Sequence, residues 1–174
     1  MQSRFSKPKV IVIYGPPGAG KGVQADLTAR YFGFIHFDTG KYLESLVHDP
    51  AALKSAVVRR QRTLFDTGKL LTTSWVLKVV GFRMKEIAAA GLGLVLSGSP
   101  RTVSEAKNLL PVMERLYGRK NMFFFVLWVL PETSIKRNSR RLICSVCGLS
   151  LLRVKGTEKF TVENPCPFCG GKLV

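Results

Sequence analysis

The sequence predicts an α/β protein built on a parallel sheet with helices on both faces. Three observations carry this. The runs KVIVIYG (Lys9 to Gly15), LGLVLSG (Leu92 to Gly98) and MFFFVLWVL (Met122 to Leu130) are short, apolar and bounded like buried strands. Helical stretches lie between them, and that alternation marks βαβ units. The first run ends in a glycine-rich turn that opens a helix, the setting of a phosphate-binding loop.

In chain order, a helix from about Gly20 to Tyr31 follows the first strand, with Gly33 near its end, and Ile35 to Phe37 makes a second short strand. Helical patterning fills Lys41 to Ala90, broken near Asp49-Pro50 and again at Asp66 to Lys69. Leu92 to Gly98 is the next buried strand, Ser104 to Leu116 a helix, and Met122 to Leu130 a further core strand. Glu132 to Leu142 is basic and helical and runs into a cysteine segment. Ligands of such sheets bind at the carboxyl ends of the strands. Both the glycine loop and SGSPR (Ser97 to Arg101) lie on that edge.

At 174 residues, 46% of them hydrophobic, the chain suits one domain with a small insert and a real core. No stretch reaches the roughly 18 apolar residues of a membrane span, and Val10 to Tyr14 is too short for a signal-peptide core. A cytoplasmic protein with no membrane partner is expected. The net charge of +16 fits a phosphate-bearing partner, whether nucleotide, nucleic acid or anionic lipid. Basic clusters occur at Arg59, Arg60 and Arg62 and at Lys136, Arg137, Arg140 and Arg141. A solvated basic surface explains the charge equally well, and no nucleic-acid-binding signature accompanies it.

All four cysteines fall in the last 31 residues, as Cys144-x-x-Cys147 and Cys166-x-x-Cys169. Such doublets read as a structural Zn²⁺ site, with iron or a disulfide pair as the alternatives. Free thiolates imply a reducing compartment.

The loop YGPPGAGKGVQAD (Tyr14 to Asp26) places Gly15, Gly20 and Lys21 in the register G-x-x-x-x-G-K-[ST], but Gly22 stands at the hydroxyl position and Val23 follows it. A strand-to-helix turn without a ligand is the plainer alternative. The loop resembles the G-x-P-G-x-G-K-G-T-Q of adenylate kinases and related nucleoside monophosphate kinases. The resemblance continues in order through FDTGKYLE (Phe37 to Glu44), FDTGKLLTTS (Phe65 to Ser74), LVLSGSPRTVSEA (Leu94 to Ala106), RNSRRLICSVCG (Arg137 to Gly148) and CPFCGGKL (Cys166 to Leu173).

That resemblance implies a P-loop NTPase-type core over 1–37 and 72–136, a helical acceptor-binding insert over 38–71 and a small four-cysteine zinc lid over 137–174. It implies transfer of the ATP γ-phosphoryl group to a nucleoside monophosphate, AMP by family habit, by a monomer with Mg²⁺ carried on ATP. Gly18, Ala19, Gly20, Lys21, Gly22 and Val23 would wrap the ATP phosphates, joined by Arg137 and Arg141. Thr39, Gly40, Lys69, Leu70, Leu71, Gly98, Ser99, Pro100, Arg101 and Glu105 would line the acceptor nucleotide. Lys21, Arg101, Arg137 and Arg141 would stabilise phosphoryl charge, a role that guanidinium forks suit.

Several positions depart from the family pattern. Val23 replaces threonine, Ser97 and Lys41 each replace an aspartate, and Glu44 replaces an arginine that grips the acceptor phosphate. Arg101 would then act alone or with a basic neighbour such as Arg59 or Arg60. Glu105 replaces a glutamine that reads adenine; a carboxylate only accepts hydrogen bonds and suits guanine better. An exposed glutamate without base contact is the alternative. The family pattern continues beyond CGGKLV, so the chain is either a fragment or a natural short form. A nucleotide-binding regulatory protein without turnover and a basic zinc-ribbon protein that binds nucleic acid are the competing functions.

Overall fold

The computed structural model describes residues 8–152, 156 and 159–174. Residues 1–7 of the expected core and 153–155, 157 and 158 of the expected lid lie outside the described residues. The chain divides into two compact units. One runs to Tyr14 and from Lys21 to Val126; the other joins Gly15–Gly20 to Leu127–Val174.

The first unit holds β1 (Val10–Tyr14), α1 (Lys21–Phe32), β2 (Ile35–Asp38), α2 (Thr39–Val47), α3 (Ala56–Asp66), α4 (Thr73–Ala89), β3 (Leu94–Ser97), α5 (Val103–Tyr117) and β4 (Met122–Val126). Its sheet is parallel with strand order β2-β3-β1-β4. The register sets Ile13 and Asp38 on either side of Ser97, so the strands end together at one edge. Val10, Val12, Leu94 and Leu96 are fully buried in the two central strands, against Val80, Met84, Leu109 and Met113 of α4 and α5. Small side chains at Ala25 and Ala29 form the buried face of α1. Two helices begin at side-chain caps: the Asp38 carboxylate accepts from the Gly40 and Lys41 N–H groups at the head of α2, and Thr102 Oγ1 accepts from Glu105 N–H at the head of α5.

Two expectations are corrected. Met122 to Leu130 does not form a core strand throughout. Only Met122–Val126 is a strand, at the sheet edge, and Phe123 to Val126 are 39–72% exposed. An apolar run reports hydrophobicity, but burial also needs neighbours, and β4 pairs with β1 alone. The helix expected to reach Leu142 also stops early. In the second unit α6 spans Pro131–Ser139, and β5 (Arg141–Ile143) pairs antiparallel with β6 (Ser150–Leu152). This buries Leu142 beside Cys144, Cys166 and Leu173, with Leu149, Leu151 and Phe160 packed around them. Among the described residues no helix is long and apolar enough to cross a membrane.

Candidate active site

In the first unit, a small open cleft lies beside the carboxyl ends of the strands. Of the ten expected acceptor residues it brings together seven: Gly40, Lys69, Leu70, Leu71, Ser99, Arg101 and Glu105. Thr39, Gly98 and Pro100 are not on its lining. Thr39 is fully buried, and its hydroxyl donates to the Ser97 carbonyl at 2.9 Å. Gly98 has φ +87°, and a Cβ there would stand 2.7 Å from Thr39 Oγ1, so only glycine fits this turn. The Ser99–Pro100 peptide bond is cis.

Arg101 is fixed by its Nε–H, which donates to the Gly98 carbonyl at 2.8 Å, and its guanidinium reaches toward Gly40. Glu105 is 4% exposed, which disposes of the exposed-glutamate alternative; its Oε2 accepts the Arg101 backbone N–H at 2.7 Å. The buried Gln61 amide donates to Thr72 Oγ1 and accepts from Thr72 N–H, tying α3 to the start of α4 around the Lys69 to Leu71 segment. Leu43, Phe65 and Val76 complete the walls. They went unnoticed in the sequence because apolar lining residues carry no chemical signature there; the one available clue was their spacing inside the helices.

The substituted positions fall into place individually. Ser97 is buried and shares a 2.9 Å hydrogen bond with His36, whose pKa is lowered, chiefly by burial. Glu44 is exposed and does not line the cleft. Arg59 Nη1 donates to the Leu53 and Lys54 carbonyls at 2.9 and 3.0 Å, and the residue is not on the lining of the cleft.

In the second unit, Gly15–Gly20 is held against α6. Ser134 Oγ donates to the Pro17 carbonyl at 2.6 Å, and Arg137 donates to the Gly18 carbonyl at 3.3 Å. Gly18 has φ +77°, and a Cβ there would meet the Ser134 carbonyl at 3.0 Å. Lys21, Gly22 and Val23 open α1 in the first unit. Arg141 lies in β5, opposite Leu152.

The four cysteine sulfurs of this unit lie within 4.8 Å of one another. Cys144 and Cys169 are 3.5 Å apart, and Cys147 and Cys166 are 3.7 Å apart. A tetrahedral ion with metal–sulfur bonds of about 2.3 Å needs edges of about 3.8 Å, so the set fits a metal. The Cys147 and Val146 N–H groups point at Cys144 Sγ at 3.5 and 3.4 Å, a contact that stabilises a ligating thiolate.

Comparison with known proteins agrees with this geometry. The family model described as adenylate kinase matches residues 13–146. The adenylate kinase of Acetivibrio thermocellus is 31% identical over 164 residues, covering 94% of this chain and 72% of the relative. That of Caldicellulosiruptor saccharolyticus is 33% identical over 163 residues with the same coverage, and that of Streptococcus thermophilus 32% over 161 residues, covering 92% and 71%. The chain belongs to the adenylate kinase family. As a phosphotransferase of the adenylate kinase type it has the parallel sheet, the glycine loop and a cysteine set placed to hold a metal ion. The charged side chains of the cleft stand at the carboxyl edge of the sheet, where ligands of such folds bind.

Proposed function

We propose that this member of the adenylate kinase family transfers the γ-phosphoryl group of ATP to a nucleoside monophosphate, with 38–71 as the acceptor-binding insert and 137–174 as the lid. The name of its relatives makes AMP the default acceptor. The reading rests most on Arg101, whose guanidinium is anchored to the Gly98 carbonyl at the mouth of a cleft with apolar walls. Phosphoryl transfer asks a protein for position and positive charge more than for covalent chemistry. Arg101 would clamp the acceptor phosphate. The amides of Gly18 to Val23 and the Lys21 ammonium would hold the ATP phosphates, and Arg137 and Arg141 would offset charge on the transferred group. Mg²⁺ carried with ATP neutralises phosphate charge. Ser97 brings no charge to that ion, which ATP and water would then hold in the main.

Zn²⁺ is the metal proposed for Cys144, Cys147, Cys166 and Cys169, since four thiolates close its tetrahedron and leave no catalytic position. Such a site belongs in a reducing compartment such as the cytoplasm. A second reading, nucleotide binding without useful turnover, draws on the engaged Ser97 hydroxyl and the loss of an acceptor-phosphate arginine at Glu44. Calorimetry with a dinucleoside pentaphosphate, which spans both substrates, tests occupancy. About one equivalent should bind per metal-loaded chain, and Lys21→Ala should weaken it about tenfold or more. No heat would remove both readings.

A further inference from the structure

Glu105 is the only carboxylate among the described residues lining the cleft. It is 4% exposed, and its position is doubly set: Oε2 accepts from the Arg101 N–H at 2.7 Å, and its own N–H donates to Thr102 Oγ1 at 3.1 Å. Capping the head of α5 accounts for Oε2, but not for a carboxylate placed on the lining of the cleft with Leu43, Phe65 and Val76. A carboxylate has no hydrogen to give. Whatever docks against its remaining lone pairs must present donors, because a facing acceptor would leave two buried groups unsatisfied.

The four common bases differ at this edge. Adenine and cytosine each set a donor beside an acceptor, uracil sets one donor between two acceptors, and guanine alone sets two donors, N1–H and the N2 amino group, side by side. Leu43, Phe65 and Val76 offer a base apolar lining, and Arg101 and Lys69 on the same lining offer positive charge to its phosphate. We infer that the acceptor cleft selects a guanine nucleotide, GMP, with Glu105 as the specificity-determining residue; this rests on the kinase reading above.

The test is the affinity of the zinc-loaded chain for GMP, IMP, AMP, CMP and UMP by calorimetry, repeated on Glu105→Gln. GMP should bind about tenfold or more tighter than AMP, and IMP, which lacks the 2-amino group, should fall between them. Glu105→Gln should reverse the order of GMP and AMP, whereas loss of a helix cap would weaken all five alike. The GMP-to-IMP ratio in the unsubstituted chain tests the same contact should the variant fold poorly. AMP binding as well as or better than GMP would overturn the inference and leave the kinase reading standing. Binding of none of the five would overturn both.

Discussion

The cleft and the cysteine knuckles solve the same problem, holding polar groups in fixed positions, by opposite means. The cleft stands on a sheet whose central strands are fully buried between helices, and its polar groups are tied to backbone carbonyls and amides. The knuckles rest on a cluster of four buried residues, two of which are themselves cysteines. A core that small stabilises little without a staple. The cleft should therefore survive without metal, and the cysteine knuckles should not.

Removing the metal is the most severe way to break this contrast. Structural Zn²⁺ in small domains contributes on the order of 10 kcal/mol. A strong chelator, or Cys144→Ser, should abolish hydrogen-exchange protection over Leu142 to Val174 and leave β1 and β3 protected. Equal loss in both units would contradict the contrast. Next in size, Arg101→Ala should weaken acceptor binding by about 100-fold, read by calorimetry, with the melting temperature little changed. Gly98→Ala forces a Cβ to within 2.7 Å of Thr39 Oγ1 at a positive φ. A cost of about 1–3 kcal/mol is expected in denaturant unfolding of the first unit, with the metal affinity of the cysteine set intact.

Smaller effects sharpen the contrast inside the first unit. The Tyr117 hydroxyl is buried without a partner among the described residues, and burial pushes its pKa up to about 12. Tyr117→Phe should raise stability by up to about 1 kcal/mol, since it removes an unsatisfied group. His36, with its pKa lowered mainly by burial, favours the neutral form when folded. Its contribution is complete above the ordinary histidine value and is lost as pH falls through the lower folded value. A modest fall in melting temperature on acidification, flattened in His36→Gln, is expected.

Much of this was legible in the sequence because it depends on local signals. The glycine loop, the breaks at Asp49-Pro50 and at Asp66 to Lys69, and the cysteine spacing each follow from backbone or ligand chemistry within a few residues. What stayed hidden depends on neighbours. The exposure of Phe123 to Val126 follows from strand order, which a run of phenylalanines does not encode. Thr39 reads as a ligand contact in its motif, which does not reveal that its hydroxyl donates to the Ser97 carbonyl, 58 positions away. The burial of Glu105 likewise comes from the walls packed around it, whereas its acceptor-only chemistry was readable from its identity.

Phosphoryl transfer itself is the central claim, and product formation measures it most directly. With Mg·ATP and each nucleoside monophosphate in turn, ³¹P NMR of the zinc-loaded chain should show a nucleoside diphosphate forming from the acceptor, fastest from GMP, and about 100-fold more slowly in Lys21→Ala. No acceptor-dependent diphosphate above that variant's level would contradict it.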